Sequence, residues 1–309
     1  PEGSVAAYKQ ARGWKEFSNI RGVVAFGHCG DSITWTLYES GNLTLSGSGE
    51  MWNYSYYVPF FKDYVIKTVT IGDGITSIGD AVFEGCSGLT ELTLPNSVTS
   101  IGSGAFEGCT GLEKITVGSE NSRYDSRDNC NSIIETETNT LIVGCKNSII
   151  PNSVTSIGNS AFCGCSGLTE LTLPNSVTSI GGGAFSGCTG LEKITSLAEI
   201  PPVCGYGVFD GVTIISCRLI VPGESVAAYK QAEVWREFKI ITAATGRCGD
   251  SITWTLDDSG NLTLSGSGEM WDYNKNDLPF KDSGIKTVTI KDGITSIGDY
   301  AFAYCSSGL

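Results

Sequence analysis

Residues 89–106, LTELTLPNSVTSIGSGAF, return at 168–185 with only the stretch just before the final Ala-Phe changed, and looser copies surround both. Ile78 and Ile101 mark one slot of this repeat, as do Ile157 and Ile180, and each pair is 23 residues apart (101−78 and 180−157). Self-similarity at a period of roughly 20–29 residues with Leu-x-x-Leu-x-Leu spacing describes a coil that cannot bury its apolar face alone. Leu89, Leu92 and Leu94 have to turn inward together, as do Ile66, Val69 and Ile71 in the preceding coil and Leu112, Ile115 and Val117 in the following one. A fully buried Leu or Ile contributes roughly 1.5–3 kcal/mol, so a handful per coil offsets the ordering entropy only when neighbouring coils complete the burial.

The expected fold is therefore a repeat solenoid, a leucine-rich-repeat array of short parallel strands with 23-residue coils, flanked by small β-hairpin modules and a C-terminal capping helix. The flanks are duplicated. PEGSVAAYKQARGWKEFSNI at 1–20 returns as PGESVAAYKQAEVWREFKII at 222–241, and from Cys29 to Tyr54 only positions 38, 39 and 53 differ from their partners 219 residues later. Ser4 and Ser225 are the expected N-caps of short helices with Val5, Tyr8 and Ala11 or Ala232 on one face. The second helix reads as a lid on the array. The first reads as the tail of a preceding array, which makes the chain a piece of a tandem protein with a super-repeat near 220 residues. Ile33-Thr-Trp35-Thr-Leu37, the turn Ser40-Gly41-Asn42 and Leu43-Thr-Leu45 predict a β-hairpin with Trp35 and Leu37 buried. The expected organisation is a tail helix over 1–20, a hairpin module over 21–65, a solenoid over 66–221, a capping helix over 222–243, a second hairpin module over 246–283 and the start of a second array over 284–309. Equivalent slots at Val117 and Ile150 lie 33 residues apart instead of 23 (150−117), which places a protruding hairpin insertion near 118–149, centred on SIIETETNTLIVG.

Most chemistry is disfavoured by counting. The net charge of −13 argues against nucleic acid and anionic membrane surfaces, and no apolar run approaches the roughly 18–20 residues of a membrane span. The single histidine, His28, aligns with Arg247 in the duplicate module, so a nucleophile–histidine site would exist in one copy alone. No Asp-x-Asp-x-Asp-Gly loop suggests calcium, and Cys163-Gly-Cys165 lacks zinc spacing, so no catalytic, metal or cofactor residues are assigned. Of 12 cysteines, Cys86, Cys109, Cys165, Cys188 and Cys305 occupy one repeat slot and read as a ladder of buried thiols. Cys204 with Cys217 and Cys130 with Cys145 are the candidate disulfides, while Cys163 stays unassigned.

The coil Leu-Thr-x-Leu-Thr-Leu-Pro-Asn-Ser-Val-Thr-Ser-Ile-Gly-x-x-Ala-Phe-x-Gly-Cys resembles the Treponema-type leucine-rich repeat of the BspA-like surface proteins. The Val-Pro-x-x-Ser-Val-x-Ala-Tyr-Lys tail and the Cys-Gly-Asp-Ser-Ile-Thr-Trp hairpin resemble segments of the same family. The resemblance implies a non-catalytic, secreted or cell-surface-attached module of a host-associated microbe, adhesin-like toward host extracellular or neighbouring-cell proteins. It supplies no shared binding residues.

Surface recognition is the remaining expectation. Between the inward Leu positions, side chains point to the open sheet face. One column reads Thr70, Thr93, Thr116, Thr172, Thr195 and Thr289, and its neighbour reads Thr68, Glu91, Lys114, Glu170, Lys193 and Thr287. With strands about 4.8 Å apart, Glu91 can meet Lys114 and Glu170 can meet Lys193. The columns either solvate the sheet or form a flat polar docking face strengthened by tandem avidity. The aromatic loop Trp52, Tyr54, Tyr56, Tyr57 is the alternative contact, suited to glycans; Tyr56 and Tyr57 become Lys275 and Asn276 in the second module. A structural spacer is the third reading.

Overall fold

The computed structural model describes residues 5–12, 22–55, 60–256, 260–275, 278–280 and 285–305. They fall into two compact units: one of residues 1–169, 179–191 and 204–212, the other of residues 170–178, 192–203 and 213–309. Both are leucine-rich-repeat solenoid built from the coils read in the sequence.

In the first unit, a sheet runs in the order Val23–Gly30, Ile33–Tyr38, Asn42–Gly47, Thr68–Ile71, Glu91–Leu94, Lys114–Val117. The first two joins are antiparallel and the rest parallel. Register keeps like with like: Leu37, Leu43, Val69, Leu92 and Ile115 are successive cross-strand partners, and none is more than 7% exposed. The predicted hairpin is present with Trp35 and Leu37 buried. The strand Val23–Gly30 beside it was not expected.

At the opposite end of each coil the Ala-Phe slots stack. Phe61, Phe83 and Phe106 lie 5.5 and 5.3 Å apart at interplanar angles of 15° and 8°, and Phe162, Phe185 and Phe209 repeat the stack at 5.2 and 5.7 Å. The cysteine ladder sits beneath. Cys109 donates to the Phe83 carbonyl and Cys188 to that of Phe162, each at 3.2 Å, so these thiols bind the previous coil as well as packing against it. Burial pushes Cys86 and Cys165 up to about 12, which keeps them protonated. The glycine before Cys165 is needed for two reasons: Gly164 has φ +77, and a Cβ there would lie 2.8 Å from Gly108 Cα. Cys130, Cys145 and Cys217 carry free thiols, which overturns both candidate disulfides. Cys130 and Cys145 are held by polar neighbours instead: Cys130 Sγ lies 3.7 Å from Ser126 Oγ, and Asn131 Nδ2 points at Cys145 Sγ from 3.3 Å.

The insertion contains the expected hairpin, Ile133–Glu135 with Thr140–Val143, but it does not protrude. Thr140–Val143 pairs in parallel with Ser156–Ile157, which pairs with Ser179–Ile180, so the hairpin is built into a coil face. The reason is legible: Ile133 and Ile134 are consecutive and both fully buried, so neither face of the strand can be left to water.

The second unit has one sheet in the order Glu170–Leu173, Lys193–Ser196, Arg218–Pro222, Ile240–Arg247, Ile252–Leu256, Asn261–Gly266, Thr287–Ile290. The helix Val226–Gln231 lies in the crossover before Ile240–Arg247 and is anchored by Tyr229 and Trp235, both fully buried. Tyr229 Oη lies 2.7 Å from Ser196 Oγ and donates to the Ala198 carbonyl at 3.0 Å, while Trp235 Nε1 donates to the Pro202 carbonyl at 2.8 Å. Ser225 occupies the N-cap position without a side-chain capping bond, because Gly223–Ser225 already winds as a 3₁₀ turn into the helix. Ser4 lies outside the described residues. Among the described residues no helix is long and apolar enough to cross a membrane.

Candidate functional site

Strand period places Glu91 and Thr93, and Lys114 and Thr116, on the outward face of neighbouring strands while Leu92, Leu94 and Ile115 turn in. Thr93 Oγ1 and Thr116 Oγ1 are 3.0 Å apart. Lys114–Val117 is the last strand of its sheet, and the reason lies one coil further on. Residues 147–150, which stand 23 before 170–173, read Asn-Ser-Ile-Ile where the later coil reads Glu-Leu-Thr-Leu. Serine in an inward slot gives no strand there.

The insertion closes this edge instead. Asn131 Oδ1 accepts from the Ile115 amide at 2.6 Å, Asn131 Nδ2 donates to the Glu113 carbonyl at 2.7 Å, and Ser126 Oγ donates to the Ile115 carbonyl at 3.4 Å. Asn131 can do this because it sits at φ +58, beside Asp128 and Asn129 at +56 and +52, a left-handed region that Asn and Asp tolerate better than most residues. The sheet face and the insertion together form an open groove of about 840 Å³, lined by Glu91, Lys114 and Thr116 on one side and Ser126, Asn129, Asn131 and Asn147 on the other.

The insertion pairs Arg123 with Glu135 at 2.7 Å and Arg127 with Asp125 at 2.8 Å within itself, and Lys146 reaches back to Glu113 of the preceding coil at 2.6 Å. Glu91 and Lys114 are cross-strand partners, but among the described residues they form no ion pair, whereas Glu170 and Lys193 in the second unit meet at 2.7 Å. With Asn131 spent on the strand edge and Asn147 Nδ2 donating to the Glu113 carbonyl at 3.3 Å, the groove offers the Asn129 amide and its lining hydroxyls, with one carboxylate and one ammonium that form no ion pair among the described residues.

Sequence reasoning reached Glu91, Lys114 and Thr116 and missed the amides opposite; the extra ten residues between Val117 and Ile150 (33−23), rich in Asn, were the available signal. It also missed Phe26. Phe26 pairs with Thr36, Thr36 with Thr44 and Thr44 with Thr70, so Phe26 heads the outward threonine row and is 78% exposed. The expected flat face is walled into a groove at one end and carries an exposed phenylalanine at the other. Thr172 and Thr195 hold matching register positions in the second unit.

The aromatic loop is not one surface. Tyr54 stacks on Phe60 at 4.5 Å and 18°, and its buried hydroxyl, pushed up to about 12 by desolvation, is a packing group. Tyr56 and Tyr57 lie outside the described residues. Trp52 is 44% exposed with Nε1 donating to Asp31 at 3.0 Å, and Trp271 is 42% exposed with the same bond to Asp250 at 3.0 Å.

On the turn side of the first unit, Glu84 Oε2 is buried and accepts no hydrogen bond among the described residues. Burial first, and then the like charge of Glu107, raises its carboxyl above the usual range, against a smaller opposing pull from Lys62. A carboxyl that binds its proton more tightly folded than unfolded loses stability as pH rises through its folded value. Glu84→Gln should therefore melt at a higher temperature than the parent at pH 7 and together with it below the ordinary glutamate range. Equal melting temperatures at pH 7 would contradict this.

The model of the BspA type leucine-rich repeat region matches residues 57–144, 134–206 and 275–308, in six copies. Among curated proteins no match is significant. Similar solved structures include a leucine-rich repeat protein of Eubacterium ventriosum (20% identity, 92% of this chain and 89% of that one, TM-score 0.27). A leucine-rich cell surface protein of Faecalibacterium prausnitzii is 17% identical over 94% and 82%, TM-score 0.28. A leucine-rich repeat protein of Bacteroides ovatus is 18% identical over 90% and 80%, TM-score 0.34.

Proposed function

Because the chain belongs to the BspA-type leucine-rich-repeat family, we propose that it is a secreted or cell-surface recognition module that binds host extracellular or neighbouring-cell proteins through one sheet face and catalyses nothing. The observation that carries this reading is the groove in which Glu91, Lys114 and Thr116 face Asn129, Asn131 and Asn147. The Asn129 amide and the hydroxyls of Thr116 and Ser126 can each donate and accept toward a peptide backbone, and the near-neutral lining favours hydrogen-bond recognition over ion capture. Phe26 supplies an apolar anchor at the other end of the threonine row, about 24 Å away over five strand spacings. His28, the one histidine, lies on the Phe26 strand, away from the groove.

The test is a binding screen against matrix proteins and mucins, repeated with a Lys114→Glu, Asn129→Gly double variant, glycine keeping the positive φ of that position, and with Phe26→Ser. All three positions are exposed, so folding should be unaffected while affinity for the captured partner falls about tenfold in each. No capture at high micromolar concentration, or capture indifferent to both variants, would end the proposal. One observation favours a second reading: Trp52 and Trp271 present the same half-exposed, orientation-locked ring, a platform suited to stacking on a sugar. Glycan capture lost in Trp52→Ala, Trp271→Ala and kept in the groove variant would assign the function there.

A further inference from the structure

The two modules hold the same strand in different settings. In the second, Ile240–Arg247 has a neighbour on each edge: Ile252–Leu256 antiparallel on one side and Arg218–Pro222 parallel on the other. In the first, Val23–Gly30 makes the equivalent hairpin contact. Phe26, Gly27 and His28 face Thr36, Trp35 and Thr34, just as Thr245, Gly246 and Arg247 face Thr255, Trp254 and Thr253. Yet Val23–Gly30 stands at the end of its sheet, with its outer edge open among the described residues.

A second difference points the same way. The helices Val5–Gln10 and Val226–Gln231 share the sequence VAAYKQ. Tyr229 is fully buried against the preceding coil through Ser196 and Ala198, whereas Tyr8 is 37% exposed. Identical residues that are buried in one copy and exposed in the other mark a surface shaped for something the second copy possesses.

We infer that the open edge of Val23–Gly30 is a socket for a parallel strand of the Arg218–Pro222 type, supplied by a further array of this same repeat. Arrays then join through unbroken β-sheet, and successive docking faces are held in fixed relation instead of swinging on a linker. The register transfers from the second module: Ile220, Val221 and Pro222 pair with Thr242, Ala243 and Thr245, so their equivalents meet Val23, Val24 and Phe26. Proline suits the last place because the pairing slips by one residue between Val221 and Pro222, at a point where no amide is needed. An unpaired edge of this length is otherwise an association hazard, and a dedicated strand removes it.

The experiment fuses residues 192–221 directly ahead of Pro1, reproducing the Val221–Pro222 junction, and follows amide exchange across Val23–Phe26 and nitration of Tyr8. Exchange should slow by about tenfold or more and Tyr8 should lose its access to reagent. Both effects should vanish when the added segment carries L219D and V221D. A peptide of residues 213–223 added in trans to the parent chain gives the second measurement and should protect the same amides. Unchanged exchange in the fusion and with the peptide would overturn the inference. So would a parent chain that dimerises with those amides already protected, since the edge would then belong to self-pairing.

Discussion

Phe83→Ala is expected to destabilise the first unit by about 3–5 kcal/mol, the cost of an unfilled aromatic site in a packed core. The ring is fully buried and stacked on both sides, against Phe61 at 5.5 Å and Phe106 at 5.3 Å, and its carbonyl receives the Cys109 thiol at 3.2 Å. Alanine leaves both neighbouring rings without a partner on one side, and the backbone cannot close the gap because strand register on the far side of the coil fixes the spacing. In a stack stabilised by nearest-neighbour contacts the damage should stay local. Denaturant titration should show the loss, and amide exchange should place it in the coils on either side of Phe83. Ile149→Ser is the matched control: Ile149 is 69% exposed, and its change should stay within about 0.5 kcal/mol. A Phe83→Ala shift as small as that of the control would mean that the stacked rings are not the core.

Asn131→Leu is expected to cost about 2–3 kcal/mol, because a shape-matched apolar side chain strands the Ile115 amide that Asn131 now satisfies at 2.6 Å and leaves the Glu113 carbonyl only the longer 3.3 Å bond from Asn147 in place of the 2.7 Å one. Leucine at φ +58 adds backbone strain. Asn131→Gly separates the two terms, since glycine tolerates the backbone but makes neither bond; it should remain destabilised by about 1–3 kcal/mol. Losing this side chain also leaves Lys114–Val117 as a bare edge, so both variants should self-associate with rising concentration, visible by light scattering. Full stability in the glycine variant would show that Asn131 is a strained loop residue and not the seal of the sheet.

Much of the fold was legible because a 23-residue period states the same burial problem several times. Leu92, Leu171 and Ile194 had to be inward whatever the rest of the chain did, and they are at most 4% exposed. The Phe and Cys slots were equally plain. What the repeat could not convey was the meaning of its own interruption. SIIETETNTLIVG reads as a hairpin in isolation, but whether a hairpin projects or packs depends on what lies against both of its faces, and Ile133 beside Ile134 gave only a local hint.

The candidate site divides in the same way. Outward threonines, Glu91 and Lys114 follow from alternation along a strand. The groove does not, because it needs Asn129, Asn131 and Asn147 brought back beside a strand that precedes them, across contacts with no period to announce them. Trp52 and Tyr54 make the point from the other direction: two residues apart in one aromatic loop, one is held half in solvent by Asp31 and the other is partly buried, stacked on Phe60 with its hydroxyl turned inside.

By itself the sequence determined the solenoid, the inward and outward columns and the duplicated modules, since side-chain period and apolar burial are local rules applied coil after coil. Tertiary structure alone decided that the insertion seals a sheet edge and walls a groove, and that among the described residues the same strand is covered in one module and open in the other. Those outcomes depend on which backbone groups lack a partner once the coils are stacked, and that is settled only between segments far apart in the chain.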